Sequence, residues 1–404
     1  MPRNRSMQLA VAAGWFTLAC AAPEPKVFSA PPFDPLDEGN DTIAVVSASP
    51  GTPVFGLSNR QRQLFARGVL VFDDSFSSVR GLGPLFNSAS CGECHEDPVL
   101  GGPGDEVEVH VSNFTGSSCE TLDALGGPVV QQDAIPELQD LGIVSEDTPQ
   151  GATGTGLRST PAVFGMGLLD AVSDQTIKAI ARLRWPDGVH GRAAILPDGR
   201  VGRFGRKATT ARLFDFNAGA FFNEMGVTNP LNPVEGTNAG KPLPPNVDLA
   251  PDPELDAASL EATDMFVRVL SPVAPLPLTG EARRGRQLFR QVRCTSCHLP
   301  VLITGNASIR ALRFRLFRAY SDLLLHDLGD ENADMCNGVA NPNEFRTQPL
   351  MGIRFQEAFM HDGASETIQD AIQRHGGEAS VIRDRFFGLT PSDQAAVVAF
   401  VLSL

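Results

Sequence analysis

Cys91-Gly92-Glu93-Cys94-His95 and Cys294-Thr295-Ser296-Cys297-His298 decide how this chain is read. In each stretch two cysteines stand three apart and a histidine follows the second. Two thiols at that spacing can each bond one vinyl-derived carbon of the same porphyrin, and the adjacent imidazole then lies under the iron. A redox dithiol has no need of the histidine. A zinc site has no need of two cysteine pairs in opposite halves of a chain, each with a histidine attached. The pattern therefore predicts two covalently bound haem c groups. Cys91, Cys94, Cys294 and Cys297 attach them, and His95 and His298 are the proximal iron ligands.

The same approach leads to both motifs. Arg62-Gln63-Leu64-Phe65 and Arg286-Gln287-Leu288-Phe289 share one tetrapeptide ahead of a cysteine pair, so the two halves read as an internal repeat with a long insertion between Phe65 and Cys91. Thr279-Gly280-Glu281 opens the second copy as a helix start. Thr390, followed by Pro391, caps a terminal helix that carries Ala396, Val397, Phe400, Val401 and Leu404. Only the stretch from Val107 to Val111 alternates in the manner of a strand. The expected fold is mainly α: two cytochrome c-like helical domains with little β-structure. The expected division is a signal segment over 1–21, a flexible tether over 22–50, a first domain over 51–228, a Pro-, Asn- and Gly-rich linker with one helix over 229–278, and a second domain over 279–404.

The chain has 404 residues, 42% of them hydrophobic and 20% charged, which is a globular composition. Its formal net charge of −14 disfavours nucleic acid and suits a basic redox partner. Arg3 and Arg5 precede an apolar run from Leu9 to Leu18 and a small-residue site at Ala19-Cys20-Ala21, the pattern of an export signal. Thr17-Leu18-Ala19-Cys20 offers the alternative of a lipid anchor on Cys20. No later segment approaches the ~18 apolar residues that span a bilayer. The expected location is the periplasm or the cell exterior. There the two remaining cysteines, Cys119 and Cys336, either form a disulfide between the halves or stand as two free thiols.

Several longer segments carry a family resemblance: Arg158-Ser-Thr-Pro-Ala-Val-Phe-Gly-Met-Gly-Leu-Leu-Asp170, Gly202-Arg-Phe-Gly205, Tyr320-Ser-Asp-Leu-Leu-Leu-His-Asp-Leu-Gly329, Glu344-Phe-Arg-Thr-Gln-Pro-Leu-Met-Gly352, Phe359-Met-His-Asp-Gly363 and His375-Gly-Gly-Glu-Ala379. Over roughly 55–404 the chain resembles the bacterial di-haem oxidoreductases, also labelled thiol oxidoreductases, which are related to the di-haem cytochrome c peroxidases. In those peroxidases the distal ligand of the second haem lies twelve residues after the Gly of the His-Asp-Gly motif. Counted from Gly363 that position is His375, so the resemblance implies a second haem held by His298 and His375. A Glu-Met pair sixteen residues after a Gly-Arg-Ala turn provides the distal acid. Counted from Ala208, that pair is Glu224-Met225, and Glu224 becomes the catalytic residue at the peroxide site.

The resemblance has a departure, because the peroxidases' inter-haem Trp aligns here with Phe204. His110 lies near the offset of a removable distal histidine, in a strand read as facing outward. His326 and His361 are read as structural. A calcium ion between the haems is a further feature of the peroxidases. The function implied is reduction of hydrogen peroxide at the first haem, with electrons from a small redox protein or other donor relayed through the second. The alternatives are oxidation of a protein side chain through high-valent iron and electron transfer without catalysis.

Overall fold

A computed structural model describes residues 45–404. The export signal, Cys20 and most of the tether lie outside the described residues. The segment that follows is docked onto the second half of the chain: Val46 N donates to Leu316 O at 3.1 Å, Ala48 N to Pro272 O at 3.0 Å and Val54 N to Val269 O at 2.8 Å.

The helices begin where the caps lie. Ser58 accepts from Gln61 N and the Gln61 side chain returns a bond to Ser58 N, so a reciprocal box opens the helix Asn59–Phe72. Asp256 caps Ala257–Val269, Thr279 caps Gly280–Gln291, and Thr390 caps Pro391–Val401 with Pro391 at the first position. These four helices form two pairs. Asn59–Phe72 crosses Ala257–Val269 where a Cβ on Gly68 would lie 2.0 Å from Ala262 O. Gly280–Gln291 crosses Pro391–Val401 where a Cβ on Gly285 would lie 1.8 Å from Ala396 O. In both pairs a glycine lets the two backbones touch. Each repeat thus builds one tight helix pair beside its cysteine motif, and the first repeat takes its partner helix from the 229–278 stretch.

The expectation of a mainly α fold with little β-structure is corrected. The structure is 33% helical and 15% strand, with several small sheets. A four-stranded antiparallel sheet is built around Val107–Phe114, which pairs with Cys119–Glu120, Val129–Val130 and Gly154–Ser159. The other sheets are pairs of strands of two or three residues, such as Leu325–Asp327 with Glu344–Arg346 and Leu302–Ile303 with Leu316–Phe317. Strands that short cannot display a period of two, so they leave no pattern in the sequence. They arise because the long Pro- and Gly-rich connections must satisfy their buried backbone groups against each other.

The larger apolar core draws on both halves, with Val54, Phe72, Phe164 and Phe266 in contact with Leu302, Phe317 and Leu323. A second core lies within the last third, around Phe289, Phe386, Val397 and Phe400. Two polar devices join the halves. Cys119 and Cys336 form a disulfide across a separation of 217 residues. Nearby, half-buried Asp334 receives Arg158, Lys207 at 3.1 Å and His361 at 3.4 Å. His361 also stacks on Phe345 with ring centres 4.0 Å apart, and burial pushes its pKa down to about 4.

Candidate functional site

The second cysteine motif opens onto a cleft. Cys294 and Cys297 sit on and just after a tight turn, Cys294–Ser296, directly after the helix Gly280–Gln291. With His298 and His375 they line a space of about 1310 Å³, open solvent at its mouth included. Phe289, Leu350, Ile353, Ile372, Phe386 and Val401 supply apolar walls. Across this space the rings of His298 and His375 face each other with centres 6.4 Å apart. That gap matches a metal ion between two imidazoles: two ~2 Å metal–nitrogen bonds plus about 1 Å from each nitrogen to its ring centre give about 6 Å.

The second ring nitrogen of each histidine is already engaged. His298 Nδ1 bonds Tyr320 O at 2.9 Å and His375 Nδ1 bonds Ala371 O at 2.7 Å. Such a bond fixes the tautomer and leaves Nε2 as the free acceptor a metal needs. Burial holds both imidazoles below their ordinary pKa, His298 down to about 4. Neutral imidazoles are the metal-binding form.

Two arginines border the same cleft. Arg346 is buried and hydrogen-bonds only neutral acceptors: Gly205 O, Thr347 O and the Gln348 amide. Arg206 bonds Ser159 O and Oγ at 2.8 and 3.1 Å. Desolvation lowers Arg206 to about 9 and Arg346 to about 10. Guanidinium groups in that position fit the carboxylate edge of a porphyrin. The cleft as a whole (apolar walls, two facing imidazoles, two thiols, cationic rim) fits a haem.

The first motif has a different distal side. Ser90 caps the turn Cys91–Cys94, and His95 Nδ1 bonds Gly102 O at 3.1 Å, again leaving Nε2 free. Burial pushes Cys91 and Cys94 to about 12, as it does Cys294, and the disulfide of the chain uses none of the four motif cysteines. The helix Leu213–Met225 ends here, with Met225 Sδ 4.0 Å from Cys91 Sγ. Its penultimate residue is Glu224, whose Oε2 accepts from Asn87 Nδ2 at 2.9 Å. Glu224 lies beside Glu108, whose charge acts on it, and Glu108 in turn bonds His110 Nε2 at 3.0 Å. Burial, then the Glu108 charge, raise Glu224 well above its ordinary pKa. Glu108 is itself opposed by burial, but its bond to His110 and the nearby imidazoles hold it below its ordinary value. One carboxyl keeps a proton and its neighbour gives one up.

The structure thus places Cys91, Cys94, His95 and Glu224 at one centre, and Cys294, Cys297, His298 and His375 at another. His110 lies in Val107–Phe114 on the same strand face as Glu108 and is engaged by it. Phe204 is buried and packs on Phe216. Four further carboxylates, Glu235, Asp248, Asp252 and Glu254, bring one oxygen each within 4.8 Å of the others. Burial, then the neighbouring carboxylates, push Glu235 up to about 8, so protons relieve that repulsion at neutral pH. Glu108, Arg206 and Arg346 were not singled out from sequence. The one available signal was the spacing of two between Glu108 and His110, which shares a strand face.

Two centres of this kind, each with a cysteine pair and a neutral histidine, define a di-haem protein. The chain belongs to the di-haem oxidoreductases: the family model described as "Di-haem oxidoreductase, putative peroxidase" matches residues 143–404. Two haems and an oxidoreductase activity come with that family. Among solved structures, similar chains include the diheme peroxidase BthA from Burkholderia thailandensis, at 16% identity and a TM-score of 0.42, covering 90% of this chain and 92% of that one. A hydrazine synthase of Kuenenia stuttgartiensis gives 14% identity and a TM-score of 0.41, covering 89% and 90%. A MauG-like protein associated with microbial copper homeostasis gives 15% and 0.38, covering 89% and 93%. No curated protein matches the chain. Among the described residues no helix is long and apolar enough to cross a membrane.

Proposed function

We propose that this chain is a peroxidase-type di-haem cytochrome c that reduces hydrogen peroxide at its first centre. Cys91 and Cys94 hold one haem and Cys294 and Cys297 the other, with His95 and His298 as proximal ligands and His375 as the distal ligand of the second. The first haem is assigned to 51–228 and the second to 279–404. One observation carries the reading: the two centres are unlike on their distal sides. The second presents an imidazole across a metal-sized gap, while the first presents the neighbouring carboxyls of Glu108 and Glu224.

When bound, a haem held by His298 and His375 would supply electron entry from a small redox protein or other donor, and one held by His95 would supply the electrons that reduce peroxide. Overall, two electrons, two protons and one peroxide give two waters. Glu108, ionised beside His110, is the base for the proton of the inner peroxide oxygen. Glu224, protonated, delivers a proton to the outer oxygen so that it leaves as water. Passing that proton from Glu108 to Glu224 then resets the pair. Asn87 fixes the Glu224 carboxyl for both steps.

The Cys119–Cys336 disulfide supports a location outside the cytoplasm, and the periplasm is the compartment proposed. The deciding experiment is the spectrum of the purified haem protein before and after hydrogen peroxide. One high-spin haem that reacts supports the reading. Two inert low-spin haems refute it in favour of electron transfer alone.

A further inference from the structure

The segment from Tyr320 to Asp327 touches the second centre from both sides. Tyr320 O holds the proximal imidazole of His298 at 2.9 Å. Six residues on, the buried His326 ring lies with Nδ1 3.6 Å from Cys297 Sγ, on the attachment side. The same Nδ1 lies 3.0 Å from Glu378 Oε1, and Nε2 lies 2.8 Å from buried Asp322. Glu378 stands three residues after His375. One imidazole therefore spans from the haem-attachment cysteine to the loop that carries the opposite ligand.

That loop runs from the helix Ile368–Gln373 into the helix Ser380–Phe387, whose Phe386 is fully buried. Glu378 is a hub for it, accepting from Asp327 N at 3.2 Å and from His190 N at 2.7 Å besides His326. Between His375 and Glu378 the chain is Gly376-Gly377, with Gly377 at φ +52°. A Cβ on Gly377 would lie 2.3 Å from Asp327 O, so the loop rests directly on the backbone next to His326. On the other side of His375, Arg374 is fixed by a two-pronged pair to Asp362 at 2.8 and 2.6 Å.

We infer that Glu378, acting through His326 and Asp322, is a positioning residue that keeps His375 on the second haem. This rests on the reading of that haem as held by His298 and His375. The physical reason is that a ligand at the tip of a short loop departs whenever the loop opens, and loops are the first elements to open. A buried imidazole bonded to a carboxylate at each nitrogen resists that opening, because releasing Glu378 breaks one of those two bonds inside the protein. Because His326 also touches Cys297, the brace ties the distal loop to the covalently fixed side of the cofactor rather than to mobile surface.

The test uses full-length haem-loaded protein and electron paramagnetic resonance of the ferric state, which separates high-spin from low-spin haem. Wild type, His375→Ala, Glu378→Ala and His326→Gln are compared, with Glu378→Gln as the shape-conserving variant and a thermal melt on each. His375→Ala is expected to make the second haem high-spin. Glu378→Ala and His326→Gln are expected to raise the ratio of high-spin to low-spin second haem roughly tenfold or more, the scale of one buried charge-assisted hydrogen bond. Glu378→Gln, which keeps one acceptor oxygen, should fall between. Added imidazole should restore the low-spin signal in the Glu378 variants, and a thermal melt unchanged from wild type excludes a general loss of fold. If His375→Ala is high-spin while both Glu378 variants and His326→Gln stay as low-spin as wild type, the positioning role is overturned. If His375→Ala itself leaves the second haem unchanged, the ligand assignment fails and the positioning role with it.

Discussion

Replacing Glu224 by Gln separates chemistry from structure at the first centre. Near neutral pH Glu224 is the protonated member of its pair, because burial and then the Glu108 charge raise its pKa well above the ordinary 4.5. Glutamine is also neutral and nearly the same size. Its carbonyl oxygen accepts from Asn87 as Oε2 does now at 2.9 Å. Charge, volume and that hydrogen bond persist, and only the transferable proton is lost. General acid catalysis is worth on the order of 10²–10⁴-fold. The second-order rate of the haem with peroxide, followed by stopped-flow absorbance, should therefore fall on the order of 10²-fold or more, about 2.7 kcal/mol of barrier. Stability should move the other way. A carboxyl whose folded pKa is raised contributes stability that is fully present below its unfolded value and lost as pH rises through the folded value. Glutamine escapes that loss, so Glu224→Gln should match wild type in acid and resist denaturant better in alkali. A variant with slower chemistry and greater alkaline stability has not simply unfolded. Unchanged peroxide kinetics would remove Glu224 from the mechanism, whatever the stability did.

Glu108→Gln should also slow the peroxide reaction, and by removing a like charge it should shift the alkaline limb of the pH–rate profile to lower pH; a limb that stays put would uncouple the two carboxyls. Replacing Cys91 and Cys94 by Ala should remove one porphyrin from the mass of the denatured protein and leave the second, and Cys294 with Cys297 should do the converse. Replacing Cys119 and Cys336 by Ser opens a 217-residue loop and should cost about 2–5 kcal/mol in denaturant titration. Two reactive thiols from this pair in denatured, unreduced wild type would refute that link. Glu146, buried and raised by desolvation to about 7, should destabilise the protein as pH climbs from about 4.5 through 7, and Glu146→Gln should flatten that part of the stability curve.

What was legible in the sequence was what acts over a few residues. The cysteine motifs need only neighbours in the chain, as do the Thr279 and Thr390 caps, and each can be read locally. The strand content was not legible, because pairs such as Ala194–Ile195 with Val201–Gly202 are too short to show a period and exist only through their partners. Glu108 was hidden for a related reason. Alternation in Val107–Phe114 says that Glu108 and His110 share a face, but which face is buried depends on the sheet's register with Gly154–Ser159 and on the end of a helix more than a hundred residues later. Arg206 and Arg346 look like surface charges until the cleft that takes them is formed.

The duplication explains why one half of each centre was readable and the other was not. Helix, glycine crossing, cysteine pair and proximal histidine occur twice and build the side of each haem site that is fixed by covalent geometry. The opposite sides owe nothing to the repeat. The first is closed by a strand and a helix end that bring two carboxyls together, and the second by a glycine-hinged loop that brings an imidazole, braced through His326. A duplicated proximal half gives two similar redox groups. Under the function proposed above, divergence confined to the distal halves would make one of them a place for proton transfer and the other a place for electron entry, so that function would be carried by the parts that broke the repeat.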